Sequence, residues 1–146
     1  MFNVFIDGDQ GTTGLRVRDR LAGREDISLL SLPEEKRKDL EARAAMARRA
    51  DATILCLPDA ASRELVAALG DDEGVILDAS TAHRTDPRFT YGFPELGAVQ
   101  AKAVSSARRI AVPGCHASGC IALVKPCLLY TSKLVHASSP PLLPPL

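Results

Sequence analysis

The apolar residues fall into short runs separated by longer charged stretches whose apolar positions recur at helical spacing. Asn3–Asp7 (NVFID), Ile27–Leu32 (ISLLSL), Ala52–Leu57 (ATILCL), Val75–Leu77 (VIL, ending at Asp78) and Arg109–Val112 (RIAV) read as buried strands, being rich in β-branched and aliphatic residues and bounded by turn formers. Between them, Gly14–Leu21, Glu34–Ala50, Ala60–Leu69 and Leu96–Ala107 read as helices. Pro33 suits the first turn of the second of these, and its Leu40, Ala44 and Ala47 share one face. Strands this apolar need cover on both faces. The pattern therefore predicts an α/β fold, a Rossmann-like doubly wound parallel sheet with right-handed crossovers.

Two stretches depart from the alternation. Residues 79–94 are polar and predict an irregular connection, and Pro113-Gly114 breaks the last strand so that Cys115–Val124 reads as a new helix beginning at the cysteine. Residues 126–146 hold two Pro-Pro pairs and a leucine-rich end without amphipathic period, which predicts a non-native or disordered tail. The expected organisation is a dinucleotide-binding domain over residues 1–114, the start of a cysteine-bearing helix over 115–125, and that tail.

Length and charge narrow the function. At 146 residues the chain can build one ordinary domain. Its 18 basic and 18 acidic residues leave a formal net charge of zero, so no global field draws it to nucleic acid or to an anionic membrane. Every acid lies at or before Glu95, and Lys102, Arg108, Arg109, Lys125 and Lys133 follow with no acid among them. No apolar run approaches the ~20 residues of a membrane-spanning helix, and the N-terminus reads as a strand rather than a signal peptide; a cytoplasmic location is expected. Cys56, Cys115, Cys120 and Cys127 are then expected as free thiols. No pair has CxxC spacing, and no metal site is expected.

The turn Gly8-Asp9-Gln10-Gly11-Thr12-Thr13-Gly14 lies between a strand and a helix, the context in which a glycine-rich run binds a pyrophosphate. Gly8 would make the tight turn, Gly11 would admit the phosphates, Gly14 would let the helix pack closely, and the amides around Thr12 and Thr13 would face the anion. Asp9 is unwelcome there unless it points to solvent. No acid closes the second strand, where an NAD site places one on the ribose hydroxyls. Ser31 and then Lys36 and Arg37 follow instead, so NADP is the expected cofactor, with Ser31 and Arg37 on its 2′-phosphate. The alternative for each base is a solvated helix face.

Cys115 is the sharpest single residue. A helix starting there aims its amides and positive dipole end at the sulfur, which favours the thiolate and a nucleophilic role. The other cysteines read as structural. No general base is evident: His116 is adjacent in sequence and expected to point away, His83 sits in the polar connection, and His136 belongs to the tail.

In order, the glycine turn, Asp78-Ala79-Ser80-Thr81-Ala82-His83-Arg84, Tyr91-Gly92-Phe93-Pro94-Glu95-Leu96 and Val112-Pro113-Gly114-Cys115-His116-Ala117-Ser118-Gly119 closely resemble the N-acetyl-γ-glutamyl-phosphate reductase family in its shorter bacterial form, over residues 1–124. The resemblance implies NADPH-dependent reduction of a small acyl phosphate, N-acetylglutamyl phosphate, to the semialdehyde in arginine biosynthesis, with Cys115 forming a thioester that accepts hydride. It implies cofactor contacts at Pro58 and Ser80, at the carboxyl ends of strands. Family members continue into an α/β substrate domain with a catalytic histidine, so an incomplete copy is expected here, and its activity is in doubt. Aspartate-semialdehyde dehydrogenase is the nearest enzymatic alternative, although that family usually has asparagine where Gly114 stands; a non-catalytic NADP-binding module is the alternative of another class. The oligomeric state is left open, a homo-oligomer included.

Overall fold

The computed structural model describes residues 1–70 and 74–137, the last six of these as helix backbone only. Six strands form one parallel sheet: β1 (Phe2–Asp7), β2 (Ile27–Leu30), β3 (Ala52–Leu55), β4 (Val75–Asp78), β5 (Thr90–Tyr91) and β6 (Arg109–Ala111), in the order β2-β1-β3-β4-β6-β5. The α-helices are α1 (Thr12–Leu21), α2 (Leu40–Arg49), α3 (Asp59–Leu69), α4 (Ala98–Ser106) and α5 (Cys115–Ala137). The expected α/β class and parallel sheet are what the chain adopts. By internal contacts it divides into two units, Met1–Pro113 and Gly114–Leu146.

Register explains the core. Phe5 pairs with Thr53, Thr53 with Ile76, and Asp78 with Ala111, so these side chains share one face of the sheet. Ala44 and Ala47 of α2 and Leu65, Val66 and Leu69 of α3 pack there against Phe5, Leu55 and Ile76. Each fully buried Leu or Phe contributes ~1.5–3 kcal/mol of hydrophobic burial, which holds α2 and α3 to the strands whose carboxyl ends carry the site. On the opposite face Ile6, Ile54, Leu77 and Ile110 form a register-matched row of which only Ile6 is fully buried.

Three elements differ from the sequence expectation. The helix expected over 34–50 breaks into a 3-10 turn at Glu34–Lys36 and α2, because Asp39 caps α2 by accepting hydrogen bonds from the Glu41 amide at 3.0 Å and the Ala42 amide at 3.5 Å. The polar connection contains β5, a two-residue strand paired with β6. Helix α5 runs through Pro126 and continues to Ala137, past the point where composition predicts irregular chain. Residues 117–124 are apolar or small and suit a helix, and the helix continues through Pro126 although an interior proline removes a backbone hydrogen bond and crowds the carbonyl four residues before it. The rest of the expected tail, residues 138–146, lies outside the described residues.

Candidate functional site

The strand order reverses between β1 and β3, since β2 lies to one side of β1 and β3 to the other. Ligands of doubly wound sheets bind at such a reversal, beyond the carboxyl ends of the strands. Gly8 sits there with φ +86°, and a Cβ on it would stand 2.3 Å from the Cys56 carbonyl oxygen at the end of β3. Gly14, buried in α1, would bring a Cβ within 2.1 Å of the Gly8 carbonyl oxygen. Both positions require glycine, one for backbone conformation and close approach, the other for close approach alone. Gly11 differs: its φ of −75° suits any residue, and a Cβ would meet only the Gly8 carbonyl oxygen at 3.4 Å. Its lack of a side chain leaves the space before α1 open.

The start of α1 fits a dinucleotide pyrophosphate. No side chain caps its first turn and that turn holds no acid, so the amides around Thr12 and Thr13 keep their polarity for an anion. Beneath the turn, the Arg43 guanidinium donates to Asp7 Oδ2 at 2.8 Å, both residues being 5% exposed. Burial raises the Asp7 carboxyl above the usual range, opposed by Arg43 and by the Gly8 amide. This pair ties the end of β1 to α2, and through α2 to the segment carrying Arg37.

The expected 2′-phosphate residues lie around Asp9. Arg37 lines a cavity of about 110 Å³ with Gly8, Asp9, Gln10, Leu32 and Leu57. Ser31 lines a neighbouring cavity of about 270 Å³ with Asp9 and Arg18. Asp9 does not point freely to solvent: its side chain is 14% exposed and lies 3.6 Å from Arg18 and 4.0 Å from Arg37. Arginines on α1 and before α2 thus neutralise the charge that the turn alone would leave facing an anion. Lys36 is exposed, whereas Arg37 is half-buried, which separates the two candidates.

The loops after β3 and β4 are tied together. Pro58 caps α3, and Asp59 in its first turn accepts the Thr81 amide at 2.9 Å and the Thr81 hydroxyl. These bonds from Thr81 hold the Asp59 carboxyl below the usual carboxylate range. Ser80 is turned inward. Its hydroxyl donates to Asp78 Oδ2 at 2.8 Å and accepts from the Ala82 amide, so it offers a cofactor backbone rather than side chain. Asp78 also meets His83, and Arg84 donates to the carbonyl of Val112 at 3.1 Å, just before the turn to the cysteine. Cys56 is half-buried, and burial followed by the charges of Asp7 and Asp78 pushes its thiol up, as befits a structural cysteine.

In the unit from Gly114, Cys115 is exposed in the first turn of α5, which carries no acid. His116 does not point away from it: Nδ1 stands 3.5 Å from the Cys115 sulfur. Neighbouring helical side chains diverge by about 100°, but at an exposed helix start a rotatable imidazole can fold back over a short thiol. Cys120 and Cys127 are exposed, not buried as a packing role would require, and the His136 side chain lies outside the described residues.

The family model for the semialdehyde dehydrogenase NAD-binding domain matches residues 14–104. The chain belongs to this family. That model describes an NAD-binding domain, consistent with the glycine turn at the sheet reversal. Among curated relatives, N-acetyl-gamma-glutamyl-phosphate reductase 2 of Pseudomonas putida is 51% identical over 84% of this chain and 39% of its own length. The N-acetyl-gamma-glutamyl-phosphate reductase of Chelativorans sp. is 50% identical over 94% of this chain and 44% of its own. The resemblance carried by the sequence motifs therefore holds, and the chain spans about two-fifths of the length of these relatives. Aspartate semialdehyde dehydrogenase II of Vibrio cholerae, complexed with ASA, has the same fold at 16% identity, with a TM-score of 0.61 over 87% of this chain and 46% of that one. The Francisella tularensis aspartate semialdehyde dehydrogenase gives a TM-score of 0.57 at 15% identity, over 78% of this chain and 36% of that one.

Among the described residues no helix is long and apolar enough to cross a membrane. Sequence reasoning missed Arg18, Asp59, Thr81 and the Asp78–His83 pair. A signal existed for Asp59, an acid directly after Pro58 at a helix start; the others depend on tertiary placement.

Proposed function

We propose that this chain is the NADP-binding and nucleophile-bearing portion of a cytoplasmic N-acetyl-γ-glutamyl-phosphate reductase. The observation that carries this reading is the half-identical match to relatives of that name, which over 137 of 146 residues must run through Cys115. The site supports it residue by residue. The Gly8–Gly14 turn and the start of α1 would hold the pyrophosphate, and Ser31 and Arg37 the 2′-phosphate. Pro58 and the backbone of Ser80 lie at the carboxyl ends of β3 and β4, where the rest of the dinucleotide would extend.

Cys115 is the nucleophile in this reading. Its thiolate attacks the acyl carbon of the substrate; the acyl–oxygen bond breaks, inorganic phosphate leaves, and a thioester remains on the sulfur. A reduced nicotinamide bound there would supply the hydride that takes the acyl carbon to the aldehyde level as the carbon–sulfur bond breaks and the Cys115 thiolate is regenerated. His116 lies close enough to exchange a proton with the thiol. The test is alkylation of Cys115 by iodoacetamide, with and without the acyl phosphate. Substrate should protect Cys115 while releasing phosphate. No protection, or no phosphate released, counts against a catalytic role and for a module that only binds NADP.

A further inference from the structure

Asp9 and Ile6 line both cavities beside the glycine turn, and Asp9 is the charged residue of the two. One holds Arg18 and Ser31, the other Arg37. Asp9 is therefore flanked by two guanidinium groups from different elements, the last turn of α1 and the segment before α2. These ion pairs, at 3.6 and 4.0 Å, are the loosest of the aspartate–arginine pairs described; those of Asp7, Asp26 and Asp86 close to 2.8, 2.5 and 2.7 Å. Charge-assisted hydrogen bonds close to about 2.7–2.9 Å, so neither guanidinium has spent its donors on Asp9.

We propose that Arg18 is a second guanidinium ligand for the 2′-phosphate of NADP. In the same proposal, Asp9, which lines both cavities, is the internal counter-ion that holds Arg18 and Arg37 beside them until the phosphate replaces it. The inference rests on the reading of NADP as the cofactor and extends it to residues the glycine motif does not specify. The charges explain the selectivity. Two guanidinium groups against one carboxylate leave one net positive charge, which attracts a phosphomonoester carrying about −1.5 to −2 and gives little to the neutral 2′-hydroxyl of NADH. A phosphate that closes to charge-assisted hydrogen-bond distance outcompetes a carboxylate held at 3.6 and 4.0 Å. Ser31, in the same cavity as Arg18, adds a hydroxyl to the oxygens the two arginines leave over.

The experiment is titration of NADPH and NADH, by fluorescence of the reduced nicotinamide, into the whole chain and into Arg18→Ala and Asp9→Asn. The wild-type chain should prefer NADPH. Arg18→Ala should weaken NADPH by roughly tenfold and far more than it weakens NADH, and Asp9→Asn should tighten NADPH several-fold and more than it tightens NADH, because the acid competing for the two guanidinium groups is gone. A wild-type chain without preference for NADPH overturns the cofactor reading itself and the inference with it. A preference that Arg18→Ala leaves intact, or a loss shared equally by NADH, overturns the role of Arg18 alone. Weaker NADPH binding by Asp9→Asn overturns the counter-ion role. Circular dichroism of each variant separates these results from loss of fold.

Discussion

His83 Nδ1 lies 2.6 Å from Asp78 Oδ2, with His83 3% exposed and Asp78 fully buried at the end of β4. The imidazole also stacks on Phe89, centroids 4.4 Å apart. Asp78 accepts in addition from the amide and hydroxyl of Ser80, so one buried carboxylate fixes the start and middle of the loop after β4. His83→Phe keeps an aromatic ring against Phe89 and removes the bond to Asp78. It should destabilise the chain by about 1–3 kcal/mol in urea unfolding, the cost of a buried acceptor losing a partner. An unchanged midpoint would mean that the Ser80 bonds alone satisfy Asp78.

The glycines of the first turn should separate fold from binding. Gly8→Ala and Gly14→Ala force contacts of 2.3 and 2.1 Å on backbone oxygens and should lower stability by roughly 1–3 kcal/mol or more. Gly11→Ala meets nothing closer than 3.4 Å, so its thermal midpoint should stay near wild type while NADPH binding falls. Equal loss of stability in all three variants would contradict the assignment of Gly11 to the cofactor.

The Asp59–Thr81 tie makes a pH prediction. The folded-state carboxyl of Asp59 lies below its ordinary value of about 3.9, lowered first by the Thr81 hydroxyl and then by the Thr81 amide. An acid depressed on folding stabilises fully above its unfolded value and loses that contribution as pH falls towards the folded one. The wild-type chain should therefore unfold at a higher temperature than Asp59→Asn near neutral pH, with the gap closing as pH drops below about 4. A gap independent of pH would show that Asp59 acts through shape alone.

Much of this was legible in sequence because local signals and tertiary demands agreed. Apolar runs such as ATILCL become β3, with Leu55 fully buried, and Gly8 and Gly14 occupy positions that exclude a Cβ. The break before α2 was hidden because residues 34–38 have helical composition, and only the Asp39 cap marks the true start. Strand β5 is two residues long and owes its existence to β6. Asp9 looked hostile to a phosphate because its partners, Arg18 and Arg37, lie 9 and 28 residues away in sequence. The approach of His116 to Cys115 is not legible in sequence, because spacing along a helix gives the direction of Cβ and not the rotamer beyond it.

The most direct measurement joins this chain to the part of the Pseudomonas putida relative that lies beyond its match, and follows phosphate-dependent reduction of NADP with N-acetylglutamate semialdehyde. The account predicts turnover by the folded chimera, its abolition by Cys115→Ala, and cofactor binding without turnover by the 146-residue chain alone. A chimera that binds NADPH but turns nothing over, turnover that survives Cys115→Ala, or robust turnover by the chain alone would contradict it.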